Sequence, residues 1–294
     1  MQRSKYSDVV LIGFGNIYKN LLKYLITIVE QWEFQLSVIE HEFYFTSRIE
    51  SVCRASGIDY YRLQERDEVL SFLLAFHEPT LVISAGNKYL FPKSLTDKEN
   101  ITIINFHNAL LPAYPGRNAP SWAIFNNEKQ VGATWHMVTA DVDAGKILWQ
   151  KGCELSSDCK AYEAARMIME LAYQGFVEIA ESLFTGNIEG IPQEMDISSR
   201  KVYYAKDVPG DGIVKLTDAP EYIYRVLRST DFGFNPVFPK IKIVVENGDV
   251  CVIKKYCKEK GGEEKKSEAL KRYYLRLDDE YVIRLDVSTL QMAE

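Results

Sequence analysis

The feature that most narrows the folds open to this chain is an alternation in its first hundred residues. Short, mainly apolar runs at Asp8–Gly13, Phe34–Ile39, Thr80–Ser84 and Ile101–Asn105 are separated by segments of helical spacing. In the first such segment, Ile17–Ile28, the residues Ile17, Leu21, Leu22, Leu25 and Ile26 form one stripe. Ser47–Gly57 and Asp67–Phe76 suit further helices, with a brief strand at Asp59–Arg62 between them. Apolar runs of this kind belong to strands covered on both faces. The repeated strand–helix order therefore predicts an α/β chain with a doubly wound, mostly parallel, Rossmann-like sheet. Sheets of this type bind ligands beyond the carboxyl ends of their strands.

Beyond residue 105 the pattern changes twice. Asn118 is placed to cap a helix over Pro120–Asn126. Val131–Val138 alternates as a strand and can pair with Lys146–Lys151 across the Asp141–Gly145 turn. Lys160–Phe184 carries the longest apolar stripe, and Gly186 suits its C-terminal cap. The loop Asp207-Val208-Pro209-Gly210-Asp211-Gly212 marks a boundary, followed by a helix over Ala219–Leu227. From Ser229 onward, short alternating runs at Lys240–Val245, Val250–Tyr256, Tyr273–Leu277 and Tyr281–Leu285 predict a small β-rich module. Two domains are expected, 1–206 and 207–294.

Charge and composition exclude several functions. The chain carries a net charge of −6, and residues 207–294 hold 15 Lys/Arg against 16 Asp/Glu. A nucleic-acid-binding module should be clearly basic, so no nucleic-acid partner is expected. No apolar run approaches the roughly 18 residues of a membrane span, and Met1–Val9 lacks the apolar core of a signal peptide. A cytoplasmic protein with no membrane partner is the expectation. The five cysteines lack metal-type spacing, so no metal is expected. Gly13-Phe14-Gly15-Asn16 follows the first strand, but Tyr18 stands where a dinucleotide motif needs a third glycine. A tight strand-to-helix turn explains it better, and its helix N-terminus can still meet a phosphate of a ligand.

Three polar residues gather where chemistry is expected: Asn105, His107 and Asp143. Asn105 and His107 are two apart at the end of a strand, so they share a face. Asp143 lies in the turn after the next strand. An amide N–H can steady an oxygen that gains charge. An imidazole can carry a proton, and a carboxylate can orient the ring and favour its charged form. With an amine as acceptor, no Ser or Cys nucleophile is required. His136 suits a bracing role, and Arg117 is either a contact for an acidic group on a ligand or simply solvated.

The motifs here are Asn105-Phe106-His107-Asn108-Ala109-Leu110-Leu111-Pro112, Gly116, Gly132-Ala133-Thr134-Trp135-His136 and Asp143-Ala144-Gly145. In that order they resemble the folate-dependent N-formyltransferases, above all their sugar N-formyltransferase and methionyl-tRNA formyltransferase-like branch. Ala109 departs from the pattern, where many members have Ser. The resemblance implies transfer of a formyl group from 10-formyltetrahydrofolate to a primary amine, with Asn105, His107 and Asp143 catalytic. It implies co-substrate contacts at Tyr89, Leu90 and Phe91, with Val138 and Asp141 beside them, Asp141 serving equally as a turn residue. Shorter, single-domain relatives handle ribonucleotides, and the charge balance counts against tRNA. A nucleotide-linked amino sugar is therefore the favoured acceptor. An amino acid or a carrier-bound aminoacyl group is the alternative, as is hydrolysis of the folate with water as acceptor. A homodimer is compatible with the sequence.

Overall fold

The computed structural model describes residues 3–41, 48–194, 200–261, 266–267 and 272–289. Two compact units emerge. The first gathers Met1–Arg117, Val131–Cys153 and Arg166–Val202; the second gathers Asn118–Gln130, Glu154–Ala165 and Tyr203–Glu294. The second unit thus takes in two internal segments of the range 1–206 together with its last four residues.

In the first unit the expected alternation is present. β1 (Asp8–Gly13), α1 (Gly15–Trp32), β2 (Gln35–Glu40), α2 (Ile49–Ala55), β3 (Asp59–Arg62), α3 (Arg66–Leu74), β4 (Thr80–Ala85), α4 (Lys93–Thr96) and β5 (Ile101–His107) follow in order. Ser47, the expected start of the second helix, lies outside the described residues. After α5 (Ala119–Phe125), β6 (Gln130–Met137) and β7 (Ile147–Glu154) complete a seven-stranded sheet of order β3-β2-β1-β4-β5-β6-β7. β1 pairs in parallel with both β2 and β4, so the strand order reverses there. β5 is parallel to β4 and antiparallel to β6. The fold class is the one the alternation predicts.

Burial explains the elements. Every residue of β4 is buried, as a strand covered on both faces requires. α1 buries Ile17, Tyr18, Leu21, Leu22, Leu25, Ile28 and Trp32, a stripe at helical spacing. It ends at Glu33, whose φ of 54° is the left-handed turn that stops a helix. Val10, Ile12, Ile39, Val69, Leu73, Val82, Ile101 and Ile103 form one core cluster. Each such side chain contributes about 1.5–3 kcal/mol on burial. Trp135 in β6 is fully buried, and its indole N–H donates to the Ala172 carbonyl of α6 (Ala161–Thr185) at 2.8 Å. Asn118 occupies the N-cap position of α5 as expected, but its side chain makes no capping hydrogen bond. At φ 57° it turns the chain by its backbone instead.

The second unit holds a six-stranded sheet. Its strands are β8 (Ile213–Lys215), β9 (Lys242–Val244), β10 (Val250–Lys260), β11 (Lys266–Ser267), β12 (Arg272–Arg276) and β13 (Tyr281–Thr289), with α7 (Pro220–Thr230) after β8. The order is β11-β12-β13-β10-β9-β8. Its pairings are antiparallel except β8 with β9. Ile223, Val226 and Leu227 of α7 pack with Ile243, Ile253, Ile283 and Leu285 in its core. Among the described residues no helix is long and apolar enough to cross a membrane.

Candidate active site

β5 carries Asn105 and His107 to its carboxyl end, one strand beyond the β1–β4 reversal of strand order where such sheets bind ligands. Register decides what they meet. Asn105 stands opposite His136 and His107 opposite Thr134 on β6, while Ser84 on β4 stands opposite Asn105. Residues opposite one another share a face of the sheet, so side chains more than twenty residues apart come into contact.

Asp143 arrives from the turn after β6. Its Oδ2 lies 3.4 Å from His107 Nδ1 and its Oδ1 lies 3.5 Å from His136 Nε2. The Gly116 N–H donates to Oδ2 at 2.7 Å. Asn105 Nδ2 is 3.2 Å from His136 Nε2, so all three expected catalytic residues converge on a group that also includes His136. Gly145 explains the Asp-x-Gly spacing, since a Cβ there would strike the Met137 carbonyl. The turn is held from outside the motif. Gln193 Nε2 donates to the carbonyls of Asp143 and Gly145 at 2.9 and 2.7 Å, and Arg200 donates to the Asp143 carbonyl at 3.2 Å. These bonds secure Asp143 in a left-handed backbone conformation with φ 50°.

His107 is buried. Nε2 lies 2.8 Å from the Tyr114 carbonyl, which can only accept, so Nε2 carries the hydrogen and Nδ1 faces Asp143. Burial pushes the His107 pKa below its ordinary value and outweighs the upward pull of Asp143, while His136 adds to the lowering. Near neutrality His107 is therefore an uncharged base with its lone pair toward a carboxylate. For Asp143, burial acts upward. Positive charge on His107, then on His136, when either ring is protonated, and the Gly116 N–H outweigh it and hold the carboxyl well below the usual carboxylate range. Asp143 stays ionised, and a proton placed on His107 Nδ1 gains a counter-charge at once.

The residues expected at the co-substrate divide. Tyr89 packs its ring into the core against His41 and Phe91, so its side chain offers no free face in this structure. Leu90 is 62% exposed. Phe91 and Val138 are half-buried against the core cluster, and Asp141 is exposed. Residue patterns alone missed Ser84, Gln193 and Arg200, none of which lies in a recognisable motif, and they left His136 at the margin.

Residues 41–180 match the model of the formyl transferase family. This segment belongs to that family. Over 198 residues the chain is 25% identical to the GDP-perosamine N-formyltransferase of Brucella melitensis biotype 1, covering 67% of this chain and 73% of that protein. A methionyl-tRNA formyltransferase of Ruminiclostridium cellulolyticum is 28% identical over 153 residues, 52% of this chain and 48% of the other. In fold, the chain resembles an N-formyltransferase from Helicobacter canadensis solved in complex with folinic acid and dTDP-3-aminofucose. That match has a TM-score of 0.70 and 16% identity, over 95% of this chain and 99% of that one. The formyl transferase segment contains Asn105, His107, His136 and Asp143; Gln193 and Arg200 lie beyond its end.

Proposed function

We propose that this chain moves a formyl group from 10-formyltetrahydrofolate to the primary amine of a nucleotide-linked amino sugar. One observation carries the reading: an amide, an imidazole and a carboxylate from β5 and the turn after β6 meet around His136 with contacts of 3.2–3.5 Å. The family of residues 41–180 supports formyl transfer. The amino-sugar acceptor is supported by the Brucella protein and by the compound bound in the Helicobacter one.

The surface residues suit a folate. A pterin-bearing ligand asks for apolar surface with polar groups at its edge. Leu90 and Val142 are exposed apolar side chains, and Asp141, next to Val142 in sequence, is an exposed carboxylate. When bound, the folate supplies an electrophilic formyl carbon. Asn105 then donates an N–H to the formyl oxygen as the amine attacks. The proton leaving the amine passes by way of Asp143 to His107 Nδ1, because the other nitrogen of His107 is committed to Tyr114, and a proton returns to the folate nitrogen as its bond to the formyl carbon breaks. Positioning and charge stabilisation do the work, without a covalent enzyme intermediate.

The test is to incubate the protein with 10-formyltetrahydrofolate and a panel of nucleotide-linked amino sugars, free amino acids and carrier-bound aminoacyl groups. Products are read by mass spectrometry and formate is assayed. An amino-sugar nucleotide heavier by one formyl group is expected. Formate release that needs no amine would identify a hydrolase and contradict the proposal.

A further inference from the structure

Ser84, Asn105 and His136 form one row across β4, β5 and β6, each opposite the next in register. Main-chain groups close this row at both ends. At one end, the Tyr89 N–H donates to Asn87 Oδ1 at 3.0 Å, which turns Asn87 Nδ2 toward Ser84 Oγ at 3.4 Å. At the other, His136 Nδ1 lies 2.8 Å from the Met137 carbonyl. A carbonyl only accepts, so Nδ1 carries the hydrogen and Nε2 of the neutral ring is an acceptor. Between these ends, the Ser84 hydroxyl donates to Asn105 Oδ1 at 2.8 Å, and Asn105 Nδ2 donates to His136 Nε2 at 3.2 Å. A backbone N–H cannot accept and a backbone carbonyl cannot donate. When the His136 ring is neutral, the direction of every bond in the chain is therefore fixed.

We propose that Ser84 and Asn87 are positioning residues for the Asn105 carboxamide. They hold it with one N–H spent on His136 Nε2 and the second left for the formyl oxygen. The use of that second N–H rests on the proposed function; the relay itself does not. The two ends of a carboxamide have nearly the same shape, so packing alone selects poorly between its orientations. A flipped Asn105 would offer an acceptor to an oxygen gaining negative charge, and would repel it. Ser84 is 1% exposed, so bulk water does not take over its role. A proton on His136 Nε2 would turn that nitrogen toward Asp143 Oδ1 at 3.5 Å and break the relay.

Two measurements test this. The first is long-range 1H–15N NMR of the histidine rings in the ligand-free protein near neutral pH. His136 is expected as the neutral Nδ1–H tautomer; an Nε2–H tautomer or an imidazolium would overturn the relay, whether or not the protein transfers formyl groups. The second is a double-mutant cycle. Ser84→Ala is expected to lower kcat about tenfold, the loss of one buried hydrogen bond, with KM for the folate unchanged. In an Asn105→Ala background the same change should cost nothing further. Equal losses in both backgrounds would reduce Ser84 to a packing residue. Asn87→Ala, at a less buried position, gives the same reading should Ser84→Ala fold poorly. A wild-type protein that formylates no acceptor would sink the functional proposal and leave the tautomer to decide the relay.

Discussion

Asp143 bears more demands than any other side chain in the site. It faces both histidines, accepts the Gly116 N–H, and sits at positive φ. Asp143→Asn keeps the shape and an acceptor for Gly116 but removes the charge. The variant should retain its circular dichroism spectrum while kcat/KM falls by roughly 10²–10⁴, the usual worth of a positioned acid–base group. A loss under threefold would exclude Asp143 from proton transfer. His107 makes a second prediction through its lowered pKa. The base is active when neutral, so the acid limb of kcat/KM should lie below the ordinary imidazole value of about 6.5. Stability moves with the same sign. The unfolded chain takes up this proton first as pH falls, so the contribution of neutral His107 is complete above about pH 6.5. It is lost as pH drops toward the folded value. Chemical denaturation of wild type and His107→Gln across that window should show the slope in the first and its reduction in the second.

At the level of elements, β6 is tied to α6 by Trp135, which also packs against Phe106 and Phe176 with ring centroids 5.9 and 5.3 Å apart. Trp135→Ala should cost about 3–5 kcal/mol, read as a lowered midpoint in thermal or urea unfolding. An unchanged midpoint would mean that this packing is dispensable. Strands β1, β2, β4 and β5 were legible because burial on both faces leaves an apolar signature. Asn105, His107 and Asp143 were legible because their motifs are local. Ser84 was not, since inside the run Thr80–Ala85 it looks like any strand residue until register sets it opposite Asn105. Gln193 and Arg200 hold the Asp143 turn from about fifty residues away through isolated hydrogen bonds, which leave no periodic trace. The apolar triplet at 89–91 pointed to a pocket wall, yet neighbouring residues part company there, with Tyr89 inward and Leu90 outward. Three-residue β8 was too short to announce itself.

At the scale of the whole molecule, this chain's charge bears on which kind of acceptor it takes. With 15 basic against 16 acidic residues, the segment after position 206 is not the strongly basic module that a tRNA ligand calls for. Formylation of methionyl-tRNA should therefore be undetectable under conditions where an amino-sugar nucleotide turns over. The claim beneath all of this is that the reacting formyl group sits against Asn105, beside Asp143. A crystal structure of the protein with folinic acid, whose formyl group stays in place, tests it most directly. The formyl oxygen or the pterin edge carrying it is expected within hydrogen-bond reach of Asn105 Nδ2, with Leu90 against the ring system. Folinic acid bound elsewhere, with Asn105 and Asp143 untouched, would contradict the account.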